Sequence, residues 1–320
     1  MNTRLAVASL AVLSAAFAPL ASAQNYPTKP LRMIIPFAPG GGSDFIGRIA
    51  AQQLSDSLGH QVVVENRGGA GGSLGVEVGM KAPPDGYTLT LIAASYPVNP
   101  ALYKLNFDPI KDIQPVIQMS QGPFLVAVHP TLPVKTVKDL IALAKKNPGG
   151  LNYATSGQGS IVHLATEHFA SMSGIRMTHI PYKGTGPALT DTIGGHTQLI
   201  FGSIASTLPF VRANKLRPIA VTTAKRIGAE PNIPSIAETV PGYDVTNWHG
   251  VIVPRNTPRS IVDRINGDLQ KALSNKEMIS RLNADGVEPA GGTPEAFGAR
   301  IAREIELWRK IVAQAGVKAE

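Results

Sequence analysis

The side chains that could carry out chemistry are few, and none is arranged as an enzyme would need it. The chain of 320 residues has no cysteine, which excludes disulfides, thiolate metal sites and a cysteine nucleophile. Its seven histidines form no H-E-x-x-H pair, and the spacing of His163 and His168 does not suit a zinc site on a helix. Ser160 follows Gly159 but lacks the second glycine of the G-x-S-x-G nucleophile motif. The sequence therefore predicts that the protein is not an enzyme and holds no metal.

Glycine-rich turns are the more informative feature, because small residues leave backbone N–H groups free at the start of a helix. Such a turn attracts a carboxylate or a phosphate through direct hydrogen bonds and through the helix dipole. Turns of this kind occur at residues 40–43, 156–160 and 184–186. For any one of them, glycine could simply permit a tight turn or close helix packing. The three together, on two parts of the chain, favour a site that holds a small anion from both sides.

The same turns do not match a nucleotide site. Residues 39–44 (PGGGSD) do not give G-x-G-x-x-G, and no turn gives G-x-x-x-x-G-K-[ST], so we predict no cofactor. Ser160 is interpreted most simply as the N-cap of the helix that follows it. His163 stands one turn later, where it lies either at the rim of a pocket or in solvent.

Alternating strands and helices must position these turns. Predicted strands over residues 32–37 and 61–65 each lead through a glycine-rich turn into a helix, and a third strand covers residues 87–93. A second series contains a helix over 137–146 and strands over 151–155, 177–182, 198–201 and 217–222. This spacing predicts an α/β fold with parallel sheets covered on both faces. The turns then lie outside the carboxyl ends of the strands, where open α/β sheets bind ligands.

Two further strands connect the series. Residues 124–129 leave the first unit, residues 248–254 return to it, and the tail is helical over 258–282 and 294–314. Ile261, Ile265, Leu269 and Leu273 have the spacing of a helix face packed on a core. We expect a first lobe of residues 24–123 and 252–320, a second lobe of residues 124–251, and a hinge where the chain crosses between them.

The N-terminus resembles an export signal. A positive start is followed by an apolar stretch over residues 5–20 and by Ala21, Ser22 and Ala23, which form an A-x-A cleavage pattern. We predict cleavage after Ala23 and release into the periplasm. The formal charge is +8 and the pI is about 9.7. Because the basic residues are scattered and aromatic residues are few, this charge indicates an anionic ligand rather than nucleic acid.

At these residues the sequence resembles the extracytoplasmic solute-binding proteins of tripartite tricarboxylate transporters, the Bordetella uptake gene family. The resemblance runs over nearly the whole mature chain. The segments that carry it are 26–30 (YPTKP), 36–44 (PFAPGGGSD), 64–72 (VENRGGAGG), 84–89 (PDGYTL), 99–103 (NPALY), 181–184 (PYKG) and 187–191 (PALTD).

The resemblance implies a two-lobed periplasmic-binding-protein fold, the type II Venus flytrap, in which loops from both lobes hold a ligand carboxylate. On this sequence the first loop supplies Phe37, Ala38, Gly41, Gly42, Ser43 and Asp44. The second supplies Thr155, Ser156, Gly157, Gly159 and Ser160. We add His163, Tyr182, Lys183, Gly202 and Ser203 as neighbours of these loops.

The resemblance also implies partners: a large and a small integral membrane subunit that use an ion gradient. We expect a monomer. Many relatives carry an acidic residue where this chain has Gly202 and Ser203. Such an acid could pair with a ligand ammonium, so we expect a di- or tricarboxylate or an aromatic acid rather than an amino acid. The alternative function is a ligand-binding accessory of a two-component sensor, which binding data alone do not distinguish.

Overall fold

The computed structural model describes residues 26–284 and 286–315. The predicted signal peptide and its cleavage after Ala23 lie outside these residues. None of the helices in this part of the chain combines the length and the hydropathy that a membrane span requires.

The first sheet lies mainly in the first lobe and has the order β2-β1-β3-β9-β4, with β10 on the other side of β4. Its strands are β1 (Leu31–Ile35), β2 (Val62–Asn66), β3 (Thr88–Ala93), β4 (Ile113–Val128), β9 (Thr246–Pro254) and β10 (Glu288–Gly291). Strands β1, β2 and β3 are parallel, whereas β9 is antiparallel to both β3 and β4. In this sheet the predicted parallel arrangement is therefore correct for β1 to β3 but not for the crossing strands, which enter from the opposite direction. It is also correct for Asn152–Thr155, Thr178–Pro181 and Leu199–Ser203 of the second sheet, which pair in parallel.

The second sheet has the order β6-β5-β7-β4, and β8 also pairs with β4. Its remaining strands are β5 (Asn152–Thr155), β6 (Thr178–Pro181), β7 (Leu199–Ser203) and β8 (Arg217–Val221). Gly202 and Ser203 are the last two residues of strand β7, which therefore extends beyond the predicted end at residue 201.

Strand β4 belongs to both sheets. Residues 113–123 pair with β9, and residues 124–128 pair with β7 and β8. The predicted strand over 124–129 is thus the second half of a longer one. Strand β9 pairs with the first-lobe half of β4 from Thr246 onward. We therefore propose that the second lobe ends just before Thr246 rather than at residue 251.

Helices cover both faces of the sheets, as predicted. They are α1 (Gly42–Leu58), α2 (Ser73–Met80), α3 (Asn99–Leu102), α4 (Val137–Lys146), α5 (Ile161–Ser173), α6 (Thr185–Ile193), α7 (Ile204–Arg212), α8 (Arg259–Leu273), α9 (Lys276–Ala284) and α10 (Pro294–Ala315). The single predicted helix over 258–282 is wrong in one respect, because the chain leaves helical geometry after Leu273 and starts α9 at Lys276. Strand β10 and helix α3 are absent from the sequence prediction.

Alternation along the strands sends side chains into two apolar layers. In β3, Leu89 and Leu91 pack with residues of α1 and α8, while Ile92 packs with residues of α2 and α10. All six residues of β3 are buried, which is the pattern of a strand covered on both faces. Trp248 anchors α10 to β9, with its ring against Phe297 and its indole N–H donating to Glu304 Oε2 at 2.8 Å.

Candidate ligand-binding site

The N-termini of four helices converge on the cleft between the lobes. Helix α1 follows β1, and helices α5, α6 and α7 follow β5, β6 and β7 of the second sheet. Each helix begins within seven residues of the carboxyl end of its strand, so its free N–H groups face the space between the sheets. The cavity there has a volume of about 30 Å³, room for about one or two water molecules. The lobes are therefore closed on one another.

The first-lobe loop is held by the carboxylate of Asp44. Its Oδ2 accepts from the backbone N–H of Gly40 and from Arg48 Nε, both at 3.0 Å, and its Oδ1 accepts from Asn66 at 3.0 Å. Asn66 also donates to the carbonyl of Phe37 at 2.9 Å. Burial alone would raise the pKa of Asp44, but these hydrogen bonds outweigh it and lower the pKa below the ordinary value. Asp44 therefore holds the loop in its conformation, and both of its carboxylate oxygens already accept hydrogen bonds.

The loops of the two lobes touch at glycines. A Cβ atom on Gly42 would lie 2.1 Å from Ser203 Oγ, and one on Gly186 would lie 2.3 Å from the carbonyl oxygen of Pro39. The backbone N–H of Ala38 donates to the carbonyl of Lys183 at 3.0 Å, directly across the cleft. Tyr103 donates its hydroxyl to the carbonyl of Gln158, which joins the lobes at a second point. Only glycine allows this approach at residues 42 and 186.

The second-lobe loop rests on a pair of stacked histidines. The rings of His163 and His179 are nearly parallel, at 8°, with centroids 3.9 Å apart. His179 Nε2 contacts Thr155 Oγ1 at 2.6 Å, and His163 Nδ1 accepts from the N–H of Gly159 at 3.2 Å. Burial lowers the pKa of His163 to about 4, and burial together with the neighbouring imidazole lowers that of His179 to about 3. Both rings are therefore neutral near pH 7.

Ser160 is the N-cap of α5, as predicted, because its hydroxyl accepts from the N–H of His163 at 3.3 Å. The prediction that His163 lies at a pocket rim or in solvent is wrong. The side chain is buried beneath the loop, where its ring supports Gly159 and stacks on His179.

Six polar side chains on the cavity wall have no hydrogen-bond partner among the described residues. All are at least nine-tenths buried. They are Ser43, Ser95, Ser156, Thr185, Ser203 and Asn247. Because these groups face the cavity without a protein partner, their convergence indicates a place for a polar ligand. No Asp, Glu, Lys or Arg is among the described residues that line the cavity.

The structure brings six of the predicted site residues to this wall. They are Phe37, Gly41, Gly42, Ser43, Ser156 and Ser203. Others stand behind the wall and position it: Ala38, Asp44, Thr155, Gly157, Gly159, Ser160, His163 and Lys183. Tyr182 donates to Asp191 at 2.6 Å, and the backbone of Gly202 pairs with Leu125. Neither residue lines the cavity.

Sequence reasoning missed Phe124, Asn247 and His249 on the crossing strands β4 and β9, Ala93 and Ser95 at the end of β3, and Ile161 and Val162 at the start of α5. Thr185, at the start of α6, also lines the cavity and lies in the predicted turn at residues 184–186. A signal for two of the missed residues was present. Asn247 and His249 occupy alternate positions at the start of an otherwise apolar strand, so they share one face of it.

Comparison with known proteins gives a consistent result. The model of a family described as "Tripartite tricarboxylate transporter family receptor" matches residues 46–317. Protein BugT of Bordetella pertussis is 35% identical over 322 residues, with 99% of each chain covered.

Two solved structures extend the likeness to the fold. The R. palustris protein Rpa4515, solved with adipate, is 36% identical with a TM-score of 0.90, covering 92% of this chain and 100% of that one. MatC from Rhodopseudomonas palustris, solved with bound malate, is 28% identical with a TM-score of 0.85, covering 90% of this chain and 100% of that one. Sequence and fold therefore agree over nearly the whole chain.

Proposed function

Because the chain belongs to the tripartite tricarboxylate transporter receptor family, a family of periplasmic solute-binding receptors, we propose that it captures a small carboxylate in the cleft and delivers it to membrane transporter subunits. Receptors of this family and the structural neighbours are binding proteins and not enzymes. We propose one large and one small membrane subunit as the partners, and a monomeric receptor.

The observation that carries the proposal is the convergence of four helix N-termini and six unpartnered polar side chains on one uncharged cavity. A carboxylate oxygen accepts two hydrogen bonds readily, and backbone N–H groups and hydroxyls can supply them without a cation. Helices α1, α5, α6 and α7 each place the positive end of their dipole toward the same point. A carboxylate held there would be bound by both lobes.

The expected ligand is a dicarboxylate or another acid with no ammonium group. The similar structures contain adipate in one case and malate in the other. In this chain the strand β7 ends in Gly202 and Ser203, and the described cavity wall carries no acidic side chain to pair with an ammonium. An amino acid would therefore bury its ammonium group without a carboxylate to pair with, whereas a simple acid has no such group.

The test is a thermal-shift screen of residues 24–320 against mono-, di- and tricarboxylates, aromatic acids and amino acids. The protein is unfolded and refolded first, so that a ligand carried through purification is removed. A ligand at 100 times its dissociation constant stabilises the folded state by about 2.7 kcal/mol. We expect a response from one class of acids without an ammonium group. A response to amino acids alone, or to no acid, would overturn the proposal.

A further inference from the structure

Two segments of the first lobe that do not line the cavity meet at one point of the second lobe. They are residues 64–72 (VENRGGAGG) and 99–103 (NPALY), and both carry the family resemblance. The hydroxyl of Tyr103 donates to the carbonyl of Gln158, in the second-lobe loop. A Cβ atom on Gly71 would lie 3.2 Å from the same carbonyl oxygen. Both segments therefore form the surface of the first lobe that Gln158 contacts.

Helix α3 places Tyr103 at this surface. The N–H of Tyr103 donates to the carbonyl of Asn99 at 2.8 Å and ends the helix, and the side-chain amide of Asn99 donates to the carbonyl of Gly71 at 3.4 Å. The N–H of Asn99 donates to the carbonyl of Ser95 at 3.2 Å, and Ser95 lines the cavity. A short series of hydrogen bonds therefore joins the cavity wall of the first lobe to Tyr103.

The second-lobe loop joins Gln158 to the cavity wall of its own lobe. The N–H of Gly157 donates to Thr155 Oγ1 at 3.2 Å, and the N–H of Ser160 donates to the carbonyl of Gly157 at 3.1 Å. Ser156, two residues before Gln158, lines the cavity. Because these hydrogen bonds fix the turn, a ligand that contacts Ser156 also restrains the carbonyl of Gln158.

The hydrogen bond from Tyr103 to Gln158 has one possible direction, since a carbonyl oxygen can only accept. Burial raises the pKa of Tyr103 to about 12, so the hydroxyl keeps its hydrogen. The bond joins the two lobes. By contrast Tyr26, which is also half-buried, donates to the carbonyl of Gly86 at 2.7 Å within the first lobe. Opening of the cleft must therefore break the bond of Tyr103 and leaves that of Tyr26 intact.

We propose that Tyr103 is a positioning residue for the binding site, and that its hydrogen bond to Gln158 sets how long a bound carboxylate stays in the cleft. The inference rests on the proposed function, because it assumes that a carboxylate is bound between the lobes. Tyr103 does not line the cavity, so it acts on the ligand through the second-lobe loop. Helix α3 thereby gains a role in ligand release.

The test compares Tyr103→Phe with the control Tyr26→Phe. Each substitution keeps the ring and removes one hydroxyl that donates to a backbone carbonyl. The ligands are adipate and malate, which are present in two of the similar structures. Surface plasmon resonance on immobilised protein gives the two rate constants, and titration calorimetry gives the affinity.

We expect Tyr103→Phe to raise the dissociation rate constant by about fivefold, the value of one hydrogen bond between uncharged groups. The affinity should fall by the same factor. The association rate constant should change little, because the ligand docks on the open form before the bond is made. A residue that only supported the fold would not divide its effect between the two rate constants in this way. Tyr26→Phe should keep both rate constants.

The failures of the two proposals are distinguishable. If Tyr103→Phe keeps the dissociation rate constant, or if Tyr26→Phe raises it equally, the inference is overturned while the receptor function stands. If the unmodified protein binds neither acid, the proposed function is wrong for these acids and the inference is overturned with it.

Discussion

The support that His163 and His179 give to the second-lobe loop depends on pH. Their pKa values of about 4 and about 3 lie below the ordinary value of 6.5, so the unfolded chain binds more protons than the folded one at mildly acid pH. By linkage, the stabilisation from the neutral pair is complete above pH 6.5 and is lost as the pH falls toward the folded pKa values. Protonation would also remove the acceptor that Gly159 uses on His163.

We expect the free energy of unfolding to drop between pH 7.5 and pH 4.5, with on the order of 2 kcal/mol due to His163. The measurement is urea unfolding at both pH values for the unmodified protein, His163→Asn and His196→Asn. Asn can still accept from Gly159 but does not titrate, so this variant should show a smaller drop. The exposed His196 serves as the control, and an equal drop in all three proteins would contradict the assignment.

At the scale of elements, the turns that start helices were the most predictable part of the molecule. Local sequence determines them, since glycine at residues 40–42, 184 and 186 and the cap Ser160 favour a helix start. The α/β, two-lobed type II fold predicted from the sequence is confirmed. Six of the predicted site residues lie on the cavity wall for the same local reason.

The crossing strands were less predictable, because their structure depends on distant pairing. Residues 113–123 of β4 include Pro115 and several glutamines, which gives a weak strand signal. Pairing with β9 on one side and β10 on the other forms the strand regardless. Alternation puts Asn247 and His249 on one face of β9, but only the pairing of β9 with β3 and β4 brings that face to the cavity.

The contact between the start of α1 and the end of β7 gives a prediction at the same scale. In Gly42→Ala the added methyl group would lie 2.1 Å from Ser203 Oγ, so the lobes could not close fully although each would still fold. We expect the affinity for a responding carboxylate to fall by roughly tenfold or more, with little change in the unfolding temperature. Calorimetry and thermal unfolding measure the two quantities.

A second substitution tests the cause. Ser203→Gly removes the atoms that the methyl group meets, together with one hydroxyl of the cavity wall, so the double variant Gly42→Ala, Ser203→Gly should bind about as tightly as Ser203→Gly alone. The matched control is Gly267→Ala in α8, where a Cβ has no neighbour within 4 Å and helix propensity favours alanine. If Gly42→Ala weakens binding as much beside Ser203→Gly as in the unmodified protein, the contact with Ser203 is not what limits closure.

At the scale of the whole molecule, the closed cleft requires a motion of the lobes. The cavity of about 30 Å³ has no room for a dicarboxylate, and hydrogen bonds from Ala38 to Lys183 and from Tyr103 to Gln158 join the lobes. A ligand of that size needs more space between the lobes, and we expect them to turn about β4 and the start of β9 when it enters. Closure then depends on the extra contacts that the ligand makes with both lobes, as in any two-state equilibrium shifted by binding.

Small-angle scattering of residues 24–320 can detect this motion. We expect the radius of gyration to decrease when a responding carboxylate is added to refolded protein, because the ligand stabilises the closed arrangement. The Gly42→Ala variant should show a smaller decrease at saturating ligand, since its added methyl group keeps the lobes apart. The Gly267→Ala control should behave as the unmodified protein does. An unchanged radius in the unmodified protein, under conditions where calorimetry reports saturation, would mean that ligands enter without a lobe motion and that the two crossing strands are a rigid connection rather than a hinge.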